Sequence, residues 1–407
     1  MICPYCGESM IGHGTKLRTI NHPKIRGGQC VILYRANRYI CKSCKKTAFE
    51  NNPFSFEKYG ESYFALDSVM EKLGNLNYTL QMISEELNIS PTQISKYLDS
   101  YVTIPSRPLP EWIGIDEVHS RSLSRKNSSY ICVLIDNEKR SLYDVLDTRS
   151  KNALAIYFSR FSREDRLRVK YVTIDMWRPY KDVIEAYLPN AIIAVDPFHV
   201  VKHLTENFTK IRISHMNKAV YDSNAYYLLK KWNWLLTSDN VNFDNARVYN
   251  KRFGTYLNRR DLLNMIFDNY PDLAAAYELK EEYMWYNKNA NYDNIDRLLT
   301  KYIERLSAAQ IPQYDEFLSI LRVWKKEIIN SFICPYDKHR LSNALAENIN
   351  GKIGSYVNIS RGLTNFKRFR SRVIFALNPE IHYALCSRLC SKQNPGRKRN
   401  HYNKTNN

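Results

Sequence analysis

The sequence lacks a long hydrophobic run, since no stretch of about 18 consecutive apolar residues is present to cross a membrane. It also lacks a disulfide framework: four of its nine cysteines lie in two tight pairs near the N-terminus, and the other five are scattered. The chain does not open with a basic region followed by an apolar segment, so we expect no secretory signal. These absences predict a soluble, cytoplasmic protein with reduced thiols.

Acidic residues are scarce relative to basic ones. The 407 residues, enough for two to four domains, contain 60 Lys and Arg against 41 Asp and Glu, a formal net charge of +19. The excess lies at the two ends, because residues 1–50 hold nine basic and two acidic residues and residues 351–407 hold twelve and one. This balance indicates a polyanionic partner, most simply nucleic acid. We expect residues 391–407 to form a basic disordered tail, which either contacts phosphate or is only solvated.

Two C-x-x-C units flank a β-rich stretch near the N-terminus. Their members are Cys3, Cys6, Cys41 and Cys44. Each two-residue spacer lets both sulfurs face one ion, so four thiolates can close a tetrahedral Zn²⁺ site. We therefore predict a zinc ribbon over residues 1–58 with a structural metal, because four protein ligands leave no open position for catalysis. The gap between the pairs is long, so Cys30 and His13 stand as alternative ligands.

Residues 62–103 contain three helical patterns with a short turn before the third. In each pattern apolar residues recur every three or four positions, and Ser90 with Pro91 begins the third helix. This arrangement predicts a helix-turn-helix whose third helix can enter a DNA major groove. We expect its outward side chains to be Thr92, Gln93, Ser95 and Lys96. A helical hairpin that serves only for packing is the alternative.

Five β-rich runs and two helical stretches lie between residues 111 and 200, in the order β-β-β-α-β-α-β. Three meandering strands followed by crossover helices predict a mixed sheet in which the first and fourth strands are neighbours, the arrangement of an RNase H-like fold. The predicted fold class is therefore multidomain α/β. In such a sheet Asp116, in the first strand, and Asp175, at the end of the fourth, come side by side.

Two carboxylates on neighbouring strands are costly unless a cation lies between them, and Mg²⁺ is a natural partner of carboxylate oxygens. A third carboxylate would complete a two-ion site for phosphodiester chemistry. Glu347 is the best candidate, because Asn343, Glu347 and Asn350 share one face of a predicted helix beside a buried apolar stripe. The alternative is that these acidic residues cap strands or lie in solvent.

Three segments of the sequence resemble the DDE transposases of the ISL-three group of bacterial insertion sequences. They are WIGIDEVHS, VTIDMWRPYKDVIEAYLPNAIIAVDPFHVVKHL and SNALAENINGKIGSYVNISRGLTNFKRFRSRVI. The order of zinc ribbon, helix-turn-helix and catalytic domain is also that of the family. The resemblance implies a transposase that binds the terminal inverted repeats of its element, cuts the DNA ends and joins them to a target with Mg²⁺ or Mn²⁺. By position, it implies a catalytic triad of Asp116, Asp175 and Glu347.

Several other residues are assigned to supporting or DNA-binding roles. Asp196 ends the fifth strand, farther from Asp116, so we expect it to support the site or position DNA. His119 is close to Asp116 in the sequence and is expected near the scissile phosphate, with a surface histidine as the alternative. Asn343 and Asn350 are expected to support Glu347. The basic C-terminal segment is expected to contribute DNA affinity through Lys367, Arg368, Arg370 and Arg372.

The remaining segments complete the predicted organisation. Residues 111–200 are the first part of the catalytic core, residues 201–340 a helical insertion, and residues 341–390 the second part of the core. The aromatic side chains of the insertion are expected to pack in its core rather than to stack on an unpaired base. His199 and His203 are expected to be structural or to contact phosphate.

The expected partner is double-stranded DNA, both the terminal repeats and the target, bound by a homodimer or a larger assembly. Two other functions remain open from the residues alone. One is a catalytically inactive or domesticated regulator that only binds DNA, and the other is a nuclease that cuts without strand transfer.

Overall fold

A computed structural model describes residues 1–55, 60–124, 128–238, 240–335, 339–360 and 362–383. The tail predicted at 391–407, and the last residues of the segment predicted at 341–390, lie outside these ranges. A bilayer-spanning helix is absent from the described ranges, because no helix there combines the length and the apolar character that crossing requires.

The described residues contain three β-sheets. The first comprises β1 (Met10–Ile25), β2 (Gly28–Cys41) and β3 (Thr47–Phe49). The central sheet comprises β4 (Trp112–His119), β5 (Tyr130–Asp136), β6 (Ser141–Leu146), β7 (Tyr171–Ile174) and β8 (Ile192–Val195). A small hairpin comprises β9 (Val248–Asn250) and β10 (Thr255–Leu257).

The helices fall into four groups along the chain. Before the central sheet lie α1 (Tyr63–Leu73), α2 (Leu80–Leu87) and α3 (Pro91–Tyr101). Within it lie α4 (Lys151–Ser159), α5 (Arg163–Leu167) and α6 (Arg178–Tyr187). The insertion contains α7 (Pro197–Lys218), α8 (Asn224–Lys231), α9 (Trp234–Thr237), α10 (Arg259–Asn269), α11 (Pro271–Asn289), α12 (Tyr292–Ala308), α13 (Asp315–Val323) and α14 (Lys325–Asn330). Two helices follow, α15 (Ala344–Ile359) and α16 (Phe366–Leu377).

The central sheet has the strand order β6-β5-β4-β7-β8. The first three strands form an antiparallel meander, and β7 and β8 then add in parallel on the other side of β4. The first and fourth strands are therefore neighbours, as the sequence predicted. Apolar residues occupy both faces of β5, because helices cover the sheet on both sides.

The two faces of the central sheet belong to two different hydrophobic cores. On one face Ile113 and Ile115 pack with α4, α6 and the helical insertion. On the other face Val118 and Val133 pack with α15, α16 and all three N-terminal helices α1–α3. The segment predicted to read DNA therefore shares its core with the sheet that carries the predicted catalytic acids.

The tryptophans of the insertion are divided between core and surface. Trp324 is buried, and Trp232 and Trp234 are partly buried against the same core, as predicted. Trp285 differs, because 57% of its surface is exposed. The amphipathic pattern of α11 is weak, since polar and apolar residues alternate irregularly along it. Its sequence therefore does not indicate whether Trp285 is buried or exposed.

Candidate active site

The four cysteines of the N-terminal pairs converge on one point. Their sulfur atoms all lie within 4.8 Å of one another, with Cys3 Sγ 3.6 Å from Cys44 Sγ and Cys6 Sγ 3.5 Å from Cys41 Sγ. Four sulfur atoms at this separation can surround one Zn²⁺ ion. The four-cysteine zinc ribbon is thus confirmed.

The alternative ligands lie elsewhere in the ribbon. His13 is on β1, and Cys30 is on β2 opposite His22. Neither belongs to the group of converging sulfur atoms. The unusual length of the gap between the pairs is taken up by the long β1–β2 hairpin, which returns Cys41 to Met10 at the base of the ribbon.

Asp116 and Asp175 are brought together by the parallel pairing of β4 with β7. Gly114 of β4 lies opposite Thr173 of β7. Asp116 comes two residues after Gly114, and Asp175 comes two residues after Thr173, so the two aspartates lie at the same level of the sheet. Asp116 is 7% exposed, whereas Asp175, just beyond the end of β7, is half-buried. Burial raises the pKa of Asp116 to about 6, and the negative charges of Asp175 and Asp196 act in the same direction.

Helix α15 is anchored to this pair of strands by two asparagines. The Asn343 Nδ2 atom donates to the carbonyl oxygens of Ile115 at 3.0 Å and Thr173 at 3.3 Å, and so joins β4 to β7 just before the two aspartates. About two helical turns later, Asn350 Nδ2 donates to Asp116 Oδ2 at 2.8 Å. The expectation that these two residues support the site agrees with these contacts.

Glu347 lies between the two anchoring asparagines on the same helix. It follows Asn343 by four residues and precedes Asn350 by three, so the three side chains share one face of α15. Desolvation and the neighbouring negative charge of Asp196 raise the pKa of Glu347. Glu347 is exposed, and the charged groups that act on its pKa are Asp196 and His199 at the edge of the site.

Asp196 and His199 extend the site along the edge of the sheet. Asp196 follows β8 and is 2% exposed; its Oδ1 atom accepts the backbone N–H of Asn343 at 3.1 Å. His199, in the first turn of α7, has Nδ1 3.5 Å from Asp175 Oδ1 and Nε2 4.0 Å from Asp196 Oδ2. The sequence did not predict this position for His199, although its place three residues after a strand-end aspartate was an available signal.

The site is rich in negative charge. Within the described residues, no Lys or Arg forms an ion pair with Asp116, Asp175, Asp196 or Glu347. Asp196 Oδ2, which is buried, has no hydrogen-bond partner there either. The sulfur atoms of the four cysteines lie within 4.8 Å of one another, and the carboxylates of the three predicted catalytic acids do not converge as tightly in the described residues. The arrangement leaves carboxylate charge uncompensated by the protein's own cations.

The expectation for His119 is wrong. Side chains alternate along a strand, so His119 and Asp116, three residues apart on β4, point to opposite faces of the sheet. His119 is exposed, and its ring packs against Tyr130 with the ring centres 5.4 Å apart. The surface-histidine alternative describes this residue.

The outward face of α3 is close to the predicted one, with one exception. Thr92 and Lys96 are exposed and Gln93 is half-buried, but Ser95 is only 6% exposed. Ser95 lies three residues before Leu98 on the edge of the apolar stripe, and its small side chain is covered when the helix packs. Ser95 is therefore not available to contact a base.

The four basic residues predicted on the C-terminal segment have different environments in α16. Lys367 is exposed, and Arg368 forms an exposed ion pair with Asp99 of α3 at 2.7 Å. Arg370 is half-buried and donates two hydrogen bonds to Asp144, at 2.6 and 2.9 Å. Only the first two therefore remain candidates for contact with DNA phosphates.

Arg372 is a structural residue, contrary to the prediction. It is 1% exposed and donates to the Tyr356 hydroxyl at 2.9 Å and to the backbone carbonyls of Asn75 and Tyr78. These bonds tie α16 to α15 and to the turn between α1 and α2. A guanidinium in this position has no surface left for a phosphate.

Replacing Arg372 with leucine is expected to reduce the free energy of unfolding by about 2–4 kcal/mol, because two buried carbonyls lose their donor. Arg368→Leu is the matched control: its exposed ion pair contributes less than about 1 kcal/mol. Urea unfolding followed by tryptophan fluorescence measures both. Equal stability losses in the two variants would contradict the structural role of Arg372.

Gly114 is required by the close approach of Asn343. A Cβ atom at Gly114 would lie 2.7 Å from Asn343 Oδ1 and 2.9 Å from Asn137 Nδ2, both in the buried interior. Gly114→Ala is therefore expected to reduce the free energy of unfolding by about 1–3 kcal/mol and to displace the start of α15. Thermal unfolding followed by far-ultraviolet circular dichroism tests this. Gly12→Ala is the control, because a Cβ atom there meets nothing within 4 Å, and its melting temperature should equal that of the wild type.

Comparisons with known proteins identify the family of this chain. Residues 113–373 match the ISL3 group of DDE proteins, described as "Transposase", and residues 1–44 match the "zinc-finger of transposase IS204/IS1001/IS1096/IS1165". The chain is 22% identical over 359 residues to the transposase for insertion sequence element IS1001 of Bordetella parapertussis, covering 87% of this chain and 83% of the relative. It is 25% identical over 263 residues to the transposase for insertion sequence element IS1557 of Mycobacterium tuberculosis strain H37Rv, covering 61% and 56%. Since the transposase match spans more than half of its length, the chain belongs to the ISL3 family of DDE transposases.

Proposed function

We propose that the protein binds the terminal inverted repeats of its insertion sequence, cuts the DNA at their ends and joins those ends to target DNA. The observation that carries this proposal is the placement of Asp116 on β4 and of Asp175 just after the paired strand β7, with Glu347 on α15, the helix whose Asn350 contacts Asp116. The strand order supports an RNase H-like core, and the three-helix unit α1–α3 supports a helix-turn-helix.

A divalent cation, Mg²⁺ or Mn²⁺, fits the chemistry of this site. The available ligand atoms are carboxylate oxygens, which these hard cations prefer, and no Lys or Arg of the described residues forms an ion pair with Asp116. Asp116, Asp175 and Glu347 would hold the metal. Bound there, such ions activate the attacking oxygen and stabilise the leaving oxygen of a phosphodiester.

Neighbouring groups of the protein position Asp116 and the helix that carries Glu347. Asn350 holds one oxygen of Asp116 through its amide, and the backbone N–H of Glu117 holds the other at 2.8 Å. His199 lies between Asp175 and Asp196, with Nδ1 3.5 Å from Asp175 Oδ1 and Nε2 4.0 Å from Asp196 Oδ2. Asn343 fixes the start of α15, so the distance from Glu347 to the sheet is set by hydrogen bonds to the backbone rather than by a loop.

The DNA-binding surface in this proposal combines α3 with the start of α16. Thr92, Gln93 and Lys96 would face the bases of a major groove, and Lys367 and Arg368 would contact phosphates. The basic zinc ribbon would add backbone contacts. Two ends of the element must be brought together, so we propose that the active form is a dimer or a larger assembly.

The proposal is tested with a labelled duplex that carries the element's terminal repeat and an unlabelled target plasmid. Wild-type protein with Mg²⁺ or Mn²⁺ should cut at the end of the repeat and transfer the labelled strand to the plasmid, and EDTA should abolish both reactions. Binding without cutting would instead indicate a regulator. Cutting without transfer, under conditions where paired ends assemble, would indicate a nuclease.

A further inference from the structure

A groove of about 690 Å³, lined by polar and apolar groups, lies directly beside Glu347. One wall is the exposed side of α15, including Asn348, Gly351 and Lys352. The other wall is the turn between α1 and α2, including Asn75 and Asn77, and the end of α16 closes one side. The groove thus joins the N-terminal helical unit to a proposed catalytic residue.

The two walls of this groove are held at a fixed separation. Arg372 of α16, which is fully buried, donates to the backbone carbonyls of Asn75 and Tyr78 in the turn and to the Tyr356 hydroxyl of α15. The turn is shaped locally as well, because the Asn75 Oδ1 atom accepts the backbone N–H of Asn77 at 2.9 Å. A groove whose walls are tied together in this way is already formed before a ligand binds.

The groove offers the groups that recognise nucleotides. The side chains of Asn77 and Asn348 can donate to and accept from the edge of a base, and the Lys352 ammonium can pair with a phosphate. Its volume lies within the roughly 300–1,000 Å³ of pockets that enclose small ligands, which suits one or two nucleotides and not a double helix. Since Glu347 lines the same groove, a strand lying there would lead to the proposed active site.

We propose that this groove takes the unpaired terminal nucleotides of the DNA strand next to the scissile phosphate. This inference rests on the proposed function and deepens it. The α1–α2 turn then reads the last bases of the element at the cleavage site, while α3 reads the body of the repeat. The N-terminal helices therefore contribute to the choice of the cleavage point as well as to binding.

The experiment uses two glycines of α15 that provide a matched pair. A Cβ atom at Gly351 or at Gly354 meets nothing within 4 Å, so both positions accept a larger side chain without disturbing the helix. Gly351 lines the groove, whereas Gly354 does not. Gly351→Gln is expected to obstruct the groove, and Gly354→Gln is its control.

Binding is measured in EDTA by fluorescence anisotropy, with repeat duplexes whose last two base pairs are either complementary or mismatched. Wild type and Gly354→Gln should prefer the mismatched end by about tenfold, the effect expected from one or two hydrogen bonds to an unpaired base. Gly351→Gln should lose this preference while keeping its affinity for the complementary duplex. Lys352→Gln should reduce the preference without abolishing it, and Asn77→Ala should change which terminal base is preferred.

A Gly351→Gln variant that keeps the wild-type preference would overturn the inference, as would a wild type that cuts repeat ends but shows no preference. Failure of the proposed function has a different signature, because wild type would then fail to cut the repeat, whether or not it bound it. Thermal unfolding of both glutamine variants shows whether a changed end preference comes from the blocked groove or from loss of folding.

Discussion

Asp116→Asn is expected to slow cleavage of the terminal repeat by about 10³-fold or more, with repeat binding unchanged. The change removes the charge of the most buried of the three proposed catalytic acids while keeping its shape. The charge is what a divalent cation requires, so the loss should appear in the rate of cleavage at saturating DNA. The measurement is single-turnover cleavage of a labelled repeat in Mg²⁺, paired with a gel-shift titration in EDTA.

The fold should tolerate this substitution. An asparagine at position 116 can still accept the N–H of Glu117, and its amide then meets Asn350, whose Oδ1 atom has no partner in the described residues. Rotation of the Asn350 amide would present that oxygen as an acceptor. Burial raises the pKa of Asp116, so its charged form destabilises the metal-free protein at pH 8. Asparagine removes that charge, and the thermal stability at pH 8 should therefore be maintained or increased.

Asp136→Asn is the matched control for this prediction. Asp136 is equally buried in the same sheet, on β5, but its Oδ1 atom accepts the backbone N–H of Lys139 at 2.9 Å, away from the acidic site. Cleavage by this variant should remain within about threefold of wild type. Comparable loss in the two variants would mean that the sheet is sensitive to any change of a buried aspartate, and would count against a catalytic role for Asp116.

Removal of Zn²⁺ is expected to unfold the N-terminal ribbon and leave the rest of the chain intact. The hydrophobic cluster beside the cysteines is small, consisting of Cys3, Met10 and Cys41, and it is separate from the two large cores of the molecule. Binding of structural zinc contributes about 10–16 kcal/mol in small modules, far more than such a core can replace. Chelation should therefore expose residues 1–55 to protease and weaken repeat binding at least tenfold.

The distribution of tryptophan makes this prediction specific. All six tryptophans lie at or after Trp112, outside the ribbon. Chelation should change the protease pattern and the far-ultraviolet circular dichroism but not the tryptophan emission, and Cys41→Ser should reproduce the chelated state without chelator. Metal analysis should find one zinc per chain in the wild type. A shift in tryptophan emission on chelation would show that the ribbon also supports the central sheet.

Much of the candidate site could be predicted because it depends on regular geometry. The alternation of strands and helices predicted that β4 and β7 are neighbours, and this pairing alone brings Asp116 and Asp175 together. The spacing of Asn343, Glu347 and Asn350 predicted one face of a helix, and contacts of both asparagines with the sheet agree with it. These features follow from periods of two and 3.6 residues, which are visible in a single sequence.

The residues that were misassigned depend on long-range packing. Arg372 has the sequence environment of a basic DNA-binding helix, and only the approach of the α1–α2 turn makes it a buried donor. Ser95 became buried for the same reason, because its helix packs on more than one neighbour. His119 was assigned by its distance along the chain, which ignores the alternation of side chains on a strand. Composition and local periodicity carry no information about which distant segment will cover a given side chain.

The single core shared by α1–α3 and the central sheet limits how this protein can be retargeted. Exchanging the whole three-helix unit for that of another protein would uncover one face of the sheet and strip α15 and α16 of their partners. The exposed residues of α3, such as Thr92 and Lys96, can therefore be exchanged without loss of the core, whereas the whole three-helix unit cannot. Under the proposed function, new sequence preferences are to be sought by altering that surface on an unchanged scaffold.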